Sequence, residues 1–198
     1  ASGNRIKEVL ATENTIVDAA EPLTPDFHSQ NMIQFDHVDF RYTPDSGLAL
    51  QDITFQLKRK TVLGIIGPTG SGKTTLTQLI PRFYDVSAGA ISFDEVDVRS
   101  WDLDSLRHQI SQVPQTSVLF TGTIRENLQW GKQEASDEEC WEALRIAQAE
   151  DFVRQLPKGL DTKVMENGKN FSGGQKQRLT IARALIAKPE LLILDDSL

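Results

Sequence analysis

Gly67-Pro68-Thr69-Gly70-Ser71-Gly72-Lys73-Thr74 satisfies G-x-x-x-x-G-K-[ST] at every fixed position. That spacing restricts the surrounding fold to a strand, a tight loop and a helix, because the backbone N–H groups must turn inward around a phosphate. The flanking sequence supplies both neighbours. Thr61 to Ile66 is an almost continuous apolar run, as expected for a strand covered on both faces. A helix is expected from about Lys73 to Phe83.

Phe171-Ser172-Gly173-Gly174-Gln175 lies roughly a hundred residues further on and opens a second helix. Free N–H groups and the helix dipole make such an end suited to an anion. A plain serine N-cap is the simpler reading of Ser172, but two glycines weaken a helix start and make sense where backbone must approach a ligand. Leu191 to Leu194 then reads as a buried strand, and Asp195 and Asp196 follow it.

The 198 residues suit one domain with a sizeable core. Twenty-one basic against 28 acidic residues give a formal charge of −7, which argues against a general nucleic-acid surface. No apolar run approaches the ~20 residues needed to cross a bilayer, and residues 1–20 lack the apolar block of a signal peptide. Cys140 is the only cysteine, so no internal disulfide exists and a packing role is expected. His28, His37 and His108 have no metal-like spacing.

Residues 1–30 form a separate region, with a short apolar stripe of Ile6, Val9 and Leu10 and a proline-broken stretch from Glu21 to Asp26. From Met32 the pattern turns to β: Ile33 and Phe35, then Val38 and Phe40, alternate with a phase slip near Asp36-His37. Leu50 to Leu57 alternates again, and Ala90–Phe93 and Gln109–Val113 are further short strands. Between about 115 and 188 the character is helical, with helices expected over Thr123–Trp130, Ser136–Ala149 and Ser172–Ala187. Ser136 and Glu139 make a capping box, and Pro189 ends the last helix.

This order of motifs resembles the ATP-binding domain of ABC transporters of the exporter type. The resemblance covers about residues 5–198. It implies an α/β fold: a P-loop NTPase core with a mixed sheet, an N-terminal antiparallel β part and a helical subdomain at about 115–188. Residues 1–30 would be the linker from a membrane domain and 31–198 the ATP-binding domain, C-terminally truncated after the Walker B strand. The family's D-loop and switch histidine would follow Leu198, and an apolar edge is expected around Leu191–Leu194.

The same resemblance implies the site. Gly67, Pro68, Thr69, Gly70, Ser71, Gly72, Lys73, Thr74 and Thr75 would bind ATP, with Lys73 on the β- and γ-phosphates. Thr74, Gln115 and Asp195 would hold Mg²⁺, and Tyr42 would stack on adenine. Without that context Tyr42 would be an aromatic closing a strand and Gln115 a surface amide. Lys73, Gln115 and Asp196 would be catalytic. Ser172, Gly173, Gly174 and Gln175 would meet the ATP of a second ABC ATP-binding domain, in a homodimer or heterodimer. Phe171 replaces the family's leucine at an apolar anchor.

Asp196 stands where the family usually carries a glutamate base. A carboxylate one methylene shorter reaches ~1.5 Å less far, and a shift of ~1 Å can cost about two orders of magnitude in rate. Two readings follow: an active ATPase that powers export through transmembrane domains, or a slow regulatory half that lends its signature to an active partner. Val118 to Leu128 closely resembles the exporter segment after the Q-loop glutamine, and Thr162 to Gly168 matches a loop in which Asn167 replaces arginine. Chromosome and DNA-repair ATPases with these motifs insert long coiled coils, and no sustained heptad is present. The resemblance places the domain at the cytoplasmic face of the membrane, touching it only through the transmembrane domains.

Overall fold

The computed structural model describes residues 2–11, 14–25 and 29–195. His28, Asp196 and the side chain of Val9 lie outside the described residues. The chain divides into two compact units, residues 1–106 and 107–198. Parallel and antiparallel strand pairs both occur, as the α/β reading requires.

In the first unit, helix α1 (Ser2–Leu10) leaves Ile6 and Leu10 exposed. Four strands follow: β1 (Asn31–Phe40), β2 (Leu50–Lys58), β3 (Ala88–Phe93) and β4 (Val96–Asp97), in the order β2-β1-β3-β4 with antiparallel neighbours. Phe35 sits opposite Phe55 on one side and Ile91 on the other. The phase slip at Asp36-His37 is a β-bulge: the register shifts between Phe35 and Val38, and His37 takes φ 48°. Because of that extra residue, Ile33, Phe35, Val38 and Phe40 are all buried despite the broken alternation.

The strand expected at Thr61–Ile66 is corrected. No ladder among the described residues includes this run, and Val62 and Ile66 are each 98% exposed. Apolarity alone does not make a parallel strand; paired neighbours do, and no strand of the first unit pairs with it. At the apolar edge expected around Leu191–Leu194, Leu191 and Ile193 are buried while Leu194 is exposed.

Helix α2 (Lys73–Leu79) stops short of Phe83. Ile80 keeps helical angles as the C-cap, Pro81 has no N–H to extend the helix, and Arg82 turns back with φ 53°. Residues 18–23 are held to the end of the unit. Leu23 bridges Trp101, and the N–H of Leu103 donates to the Asp18 carboxylate at 2.8 Å. The unit ends inside α3 (Leu103–His108).

In the second unit, β5 (Ile110–Val113) pairs in parallel with β8 (Leu191–Leu194), and β6 (Gly122–Thr123) pairs antiparallel with β7 (Lys163–Val164). Helices α4 (Ile124–Gln129), α5 (Asp137–Ile146), α6 (Glu150–Gln155) and α7 (Gly173–Leu185) pack around a core of Leu128, Cys140, Leu144, Val153, Phe171 and Leu179. Three capping boxes start α4, α5 and α7: Thr123 with Glu126, Ser136 with Glu139, and Ser172 with Gln175. The helix expected over 136–149 is α5, which stops at Ile146 ahead of Gln148 at φ 56°, and a further short helix, α6, follows beyond that range. Arg125 ties the start of α5 to the loop before β7 by pairing with Asp137 and Asp161. Cys140 is fully buried and desolvation pushes its thiol pKa up, as a packing residue requires.

Candidate nucleotide site

The phosphate loop lies in the first unit. Its shape rests on Gly70 and Gly72, both left-handed at φ 82° and 88°. A Cβ on Gly72 would lie 2.7 Å from Leu50 Cδ2 and 3.0 Å from the Ala49 carbonyl oxygen, so a side chain there would have to displace the start of β2 as well as strain the backbone. Around Gly70 the space is open and only the backbone angle demands glycine. The Ser71 N–H closes a turn onto the Pro68 carbonyl at 3.2 Å, and Thr69 is exposed. No side chain caps the N-terminus of α2.

Lys73 bends back over the loop. Its ammonium donates to the carbonyl oxygens of Gly67 at 2.8 Å and Pro68 at 3.1 Å. Thr74 is exposed and Thr75 is buried on the next position of the helix. Tyr42, just past β1, is 50% exposed, and its hydroxyl is hydrogen-bonded to Thr75 Oγ1 at 2.8 Å. Phe40 and Tyr84 meet Tyr42 at interplanar angles of 80° and 90°, so neither stacks on it face to face. Sequence reasoning misses Tyr84, whose only local signal is its pairing with Phe83 just after α2.

Asp195 and Gln115 lie in the second unit. The register of β5 with β8 puts Val113 opposite Leu194, and the Asp195 N–H donates to the Val113 carbonyl at 3.0 Å. Gln115 follows Val113 by two residues, so both candidates leave the carboxyl ends of adjacent parallel strands, where α/β folds place their ligands. The general base candidate, Asp196, lies outside the described residues.

Ser172 to Gln175 form the start of α7. Ser172 Oγ accepts from the Gln175 N–H at 3.3 Å, and Gln175 Oε1 accepts from the Ser172 N–H at 2.9 Å. Added Cβ atoms on Gly173 and Gly174 would meet nothing within 4 Å, so this turn presents bare backbone outward. Phe171 is 8% exposed and meets the half-buried ring of Phe152, which is the apolar anchoring expected of it. In the preceding loop Asn167 takes φ 54°, a conformation asparagine tolerates better than most side chains.

The residues expected to hold a cation, Thr74 in the first unit and Gln115 and Asp195 in the second, each offer an oxygen donor of the kind Mg²⁺ prefers. Among the described residues no group of three or more His, Cys, Asp or Glu could hold a metal. Donors of this kind suit an ion bound largely through substrate phosphates. Among the described residues, no helix is long and apolar enough to cross a membrane.

Comparison with known proteins bears on these features together. The sequence profile described as ABC transporter matches residues 50–198. In Bacillus subtilis (strain 168), the protein named "Uncharacterized ABC transporter ATP-binding protein YfiB" is 48% identical over 197 residues, covering 100% of this chain and 34% of that protein. A second protein of that organism, "Probable multidrug resistance ABC transporter ATP-binding/permease protein YheI", is 44% identical over 198 residues, with the same shares of 100% and 34%. The solved "Structure of a bacterial Atm1-family ABC exporter with ATP bound" superposes with a TM-score of 0.91 at 35% identity, over 98% of this chain and 34% of that one. The chain thus spans about a third of the length of the relatives it matches. It belongs to the ABC transporter family, as an ATP-binding domain of the exporter type.

Proposed function

We propose that this domain binds ATP at Gly67–Thr75 and that hydrolysis of this ATP drives export through transmembrane domains of the same assembly. A second ABC ATP-binding domain would complete each site, one subunit offering its phosphate loop and the other its Ser172–Gln175 turn. The observation that carries this reading is the open face of that turn: bare Gly173 and Gly174 backbone beside Ser172 suits a phosphate arriving from outside the chain. The acidic balance of the chain gives no support to a nucleic-acid partner. The domain would sit at the cytoplasmic face, touching the membrane only through the transmembrane domains.

Mg²⁺, when bound, neutralises charge on the β- and γ-phosphate oxygens. Thr74, Gln115 and Asp195 are the residues that would hold it. Lys73 exchanges the carbonyls of Gly67 and Pro68 for phosphate oxygens, and the loop N–H groups cradle the rest of the triphosphate. Gln115 orients the attacking water, and the Asp196 carboxylate accepts its proton. Most of the rate acceleration comes from positioning and charge stabilisation.

A second reading is favoured by the aspartate at position 196. This half would hold ATP, hydrolyse it slowly, and supply Ser172–Gln175 to an active partner. Single-turnover hydrolysis in the assembled transporter separates the two. Asp196→Glu accelerates this site if the shorter carboxylate limits it, and an unchanged rate removes the regulatory reading. Loss of Mg²⁺-dependent ATP turnover and transport in Lys73→Ala supports the main proposal; retention of both refutes it.

A further inference from the structure

Thr75 follows the hydroxyl residue of the phosphate-loop motif, where a phosphate contact is the obvious role. Its side chain does something else. Thr75 is 8% exposed, and its Oγ1 lies 2.8 Å from the Tyr42 hydroxyl, 33 residues away in sequence. A β-branched side chain is stiff about χ1, and a buried hydroxyl keeps a partner where one is within reach. Thr75 therefore holds the tip of Tyr42, while Phe40 and Tyr84 pack against the ring in edge contacts.

We propose that Thr75 is a positioning residue for base recognition: its hydroxyl fixes the Tyr42 ring relative to the helix that begins at the phosphate loop. The inference rests on the ATP-site reading. Half of Tyr42 remains exposed, leaving ring surface for a planar base. The tether ties that surface to α2, whose first residue is Lys73. The surfaces that meet base and triphosphate are thereby held in register before the ligand arrives, which lowers the ordering cost of binding. Deleting the hydroxyl frees the ring and leaves in place the backbone N–H groups of Gly67–Thr75, which would meet the phosphates.

The test measures binding of ATP and of inorganic tripolyphosphate, which has no base, to the full-length protein. Thr75→Val is expected to weaken ATP about two- to tenfold, the usual worth of one hydrogen bond, with tripolyphosphate unchanged. Thr75→Ser restores ATP affinity. Tyr42→Phe matches Thr75→Val, and the double variant is no worse than either. Intact tripolyphosphate binding also verifies that each variant is folded. Equal loss of ATP and tripolyphosphate in Thr75→Val would assign the hydroxyl to phosphate and overturn the inference, as would unchanged ATP affinity in Thr75→Val or Tyr42→Phe. Wild-type protein that binds neither ligand overturns the ATP-site reading, and the inference with it.

Discussion

Lys73 closes the phosphate loop on itself, donating from Nζ to the carbonyl oxygen of Gly67 at 2.8 Å. The same ammonium reaches the Pro68 carbonyl at 3.1 Å. The loop is thus held in shape by the cation that a triphosphate would claim. An incoming phosphate exchanges two neutral acceptors for charged ones, and charge-assisted bonds are the stronger. Lys73→Ala is expected to weaken both ATP and tripolyphosphate by on the order of ten- to a hundredfold, read by calorimetry. Loss confined to ATP would contradict this role.

Gly70 and Gly72 separate two reasons for glycine. Both have positive φ, but only Gly72 is also crowded, by Leu50 and Ala49. Gly70→Ala is expected to cost ~1–2 kcal/mol from backbone strain alone. Gly72→Ala adds a clash with β2 and is expected to cost ~2–4 kcal/mol. Denaturant midpoints of the two variants give the comparison, and equal losses would show that crowding at Gly72 is relieved elsewhere.

The parts of this chain legible in sequence are those with local causes. The glycine loop, the capping box at Ser136, the slip at His37 and the apolar strand before Asp195 each follow from a few adjacent residues. The failures involve partners distant in sequence. Thr61–Ile66 reads as a strand, yet nothing within that run says which strand would pair with it. Helix α6 spans only six residues and starts without a side-chain cap, so no local pattern marks it. At the site, the motif placed Lys73 and Thr74, whereas the link between Tyr42 and Thr75 arises only when β1 is laid beside α2.

His37 and Asp52 make a pH-dependent contact at the bulge, 2.6 Å apart and exposed on both sides. The Asp52 hydrogen bond and charge, with a contribution from Asp36, hold the His37 pKa above its usual value. With the folded pKa raised, the favourable contact is fully present below about pH 6.5 and is lost as pH rises through the folded midpoint. Exposure keeps its effect on stability small, so proton NMR titration is the suitable readout. The His37 midpoint should lie above 6.5 and fall in Asp52→Asn. An unmoved midpoint would mean that the pair is not formed in solution.

Phe171 anchors the start of α7 against Phe152. Phe171→Ala should cost ~3–5 kcal/mol through the cavity that it leaves. Phe171→Leu, which restores the residue usual in the family, should cost less than about 1.5 kcal/mol and leave ATP turnover in the assembled transporter unchanged. A large loss of turnover in Phe171→Leu with normal stability would give the ring a role beyond packing.

Ser172 and Gln175 currently satisfy each other. Each side chain accepts from the other's backbone N–H, at 3.3 and 2.9 Å. A phosphate arriving at this turn therefore competes with the helix cap, and stability and recognition are tied to the same serine. Two substitutions part them. Ser172→Ala removes the cap and should cost ~1 kcal/mol of stability, together with turnover at the partner's site. Ser172→Asp keeps a good cap and a charge favourable to the helix N-terminus, so stability should return to the wild-type value. Its carboxylate would repel a phosphate, so partner-site turnover should remain lost. Denaturant unfolding and single-turnover ATPase of the assembled transporter supply the two readouts. Recovery of turnover along with stability in Ser172→Asp would mean that the serine acts only as a helix cap.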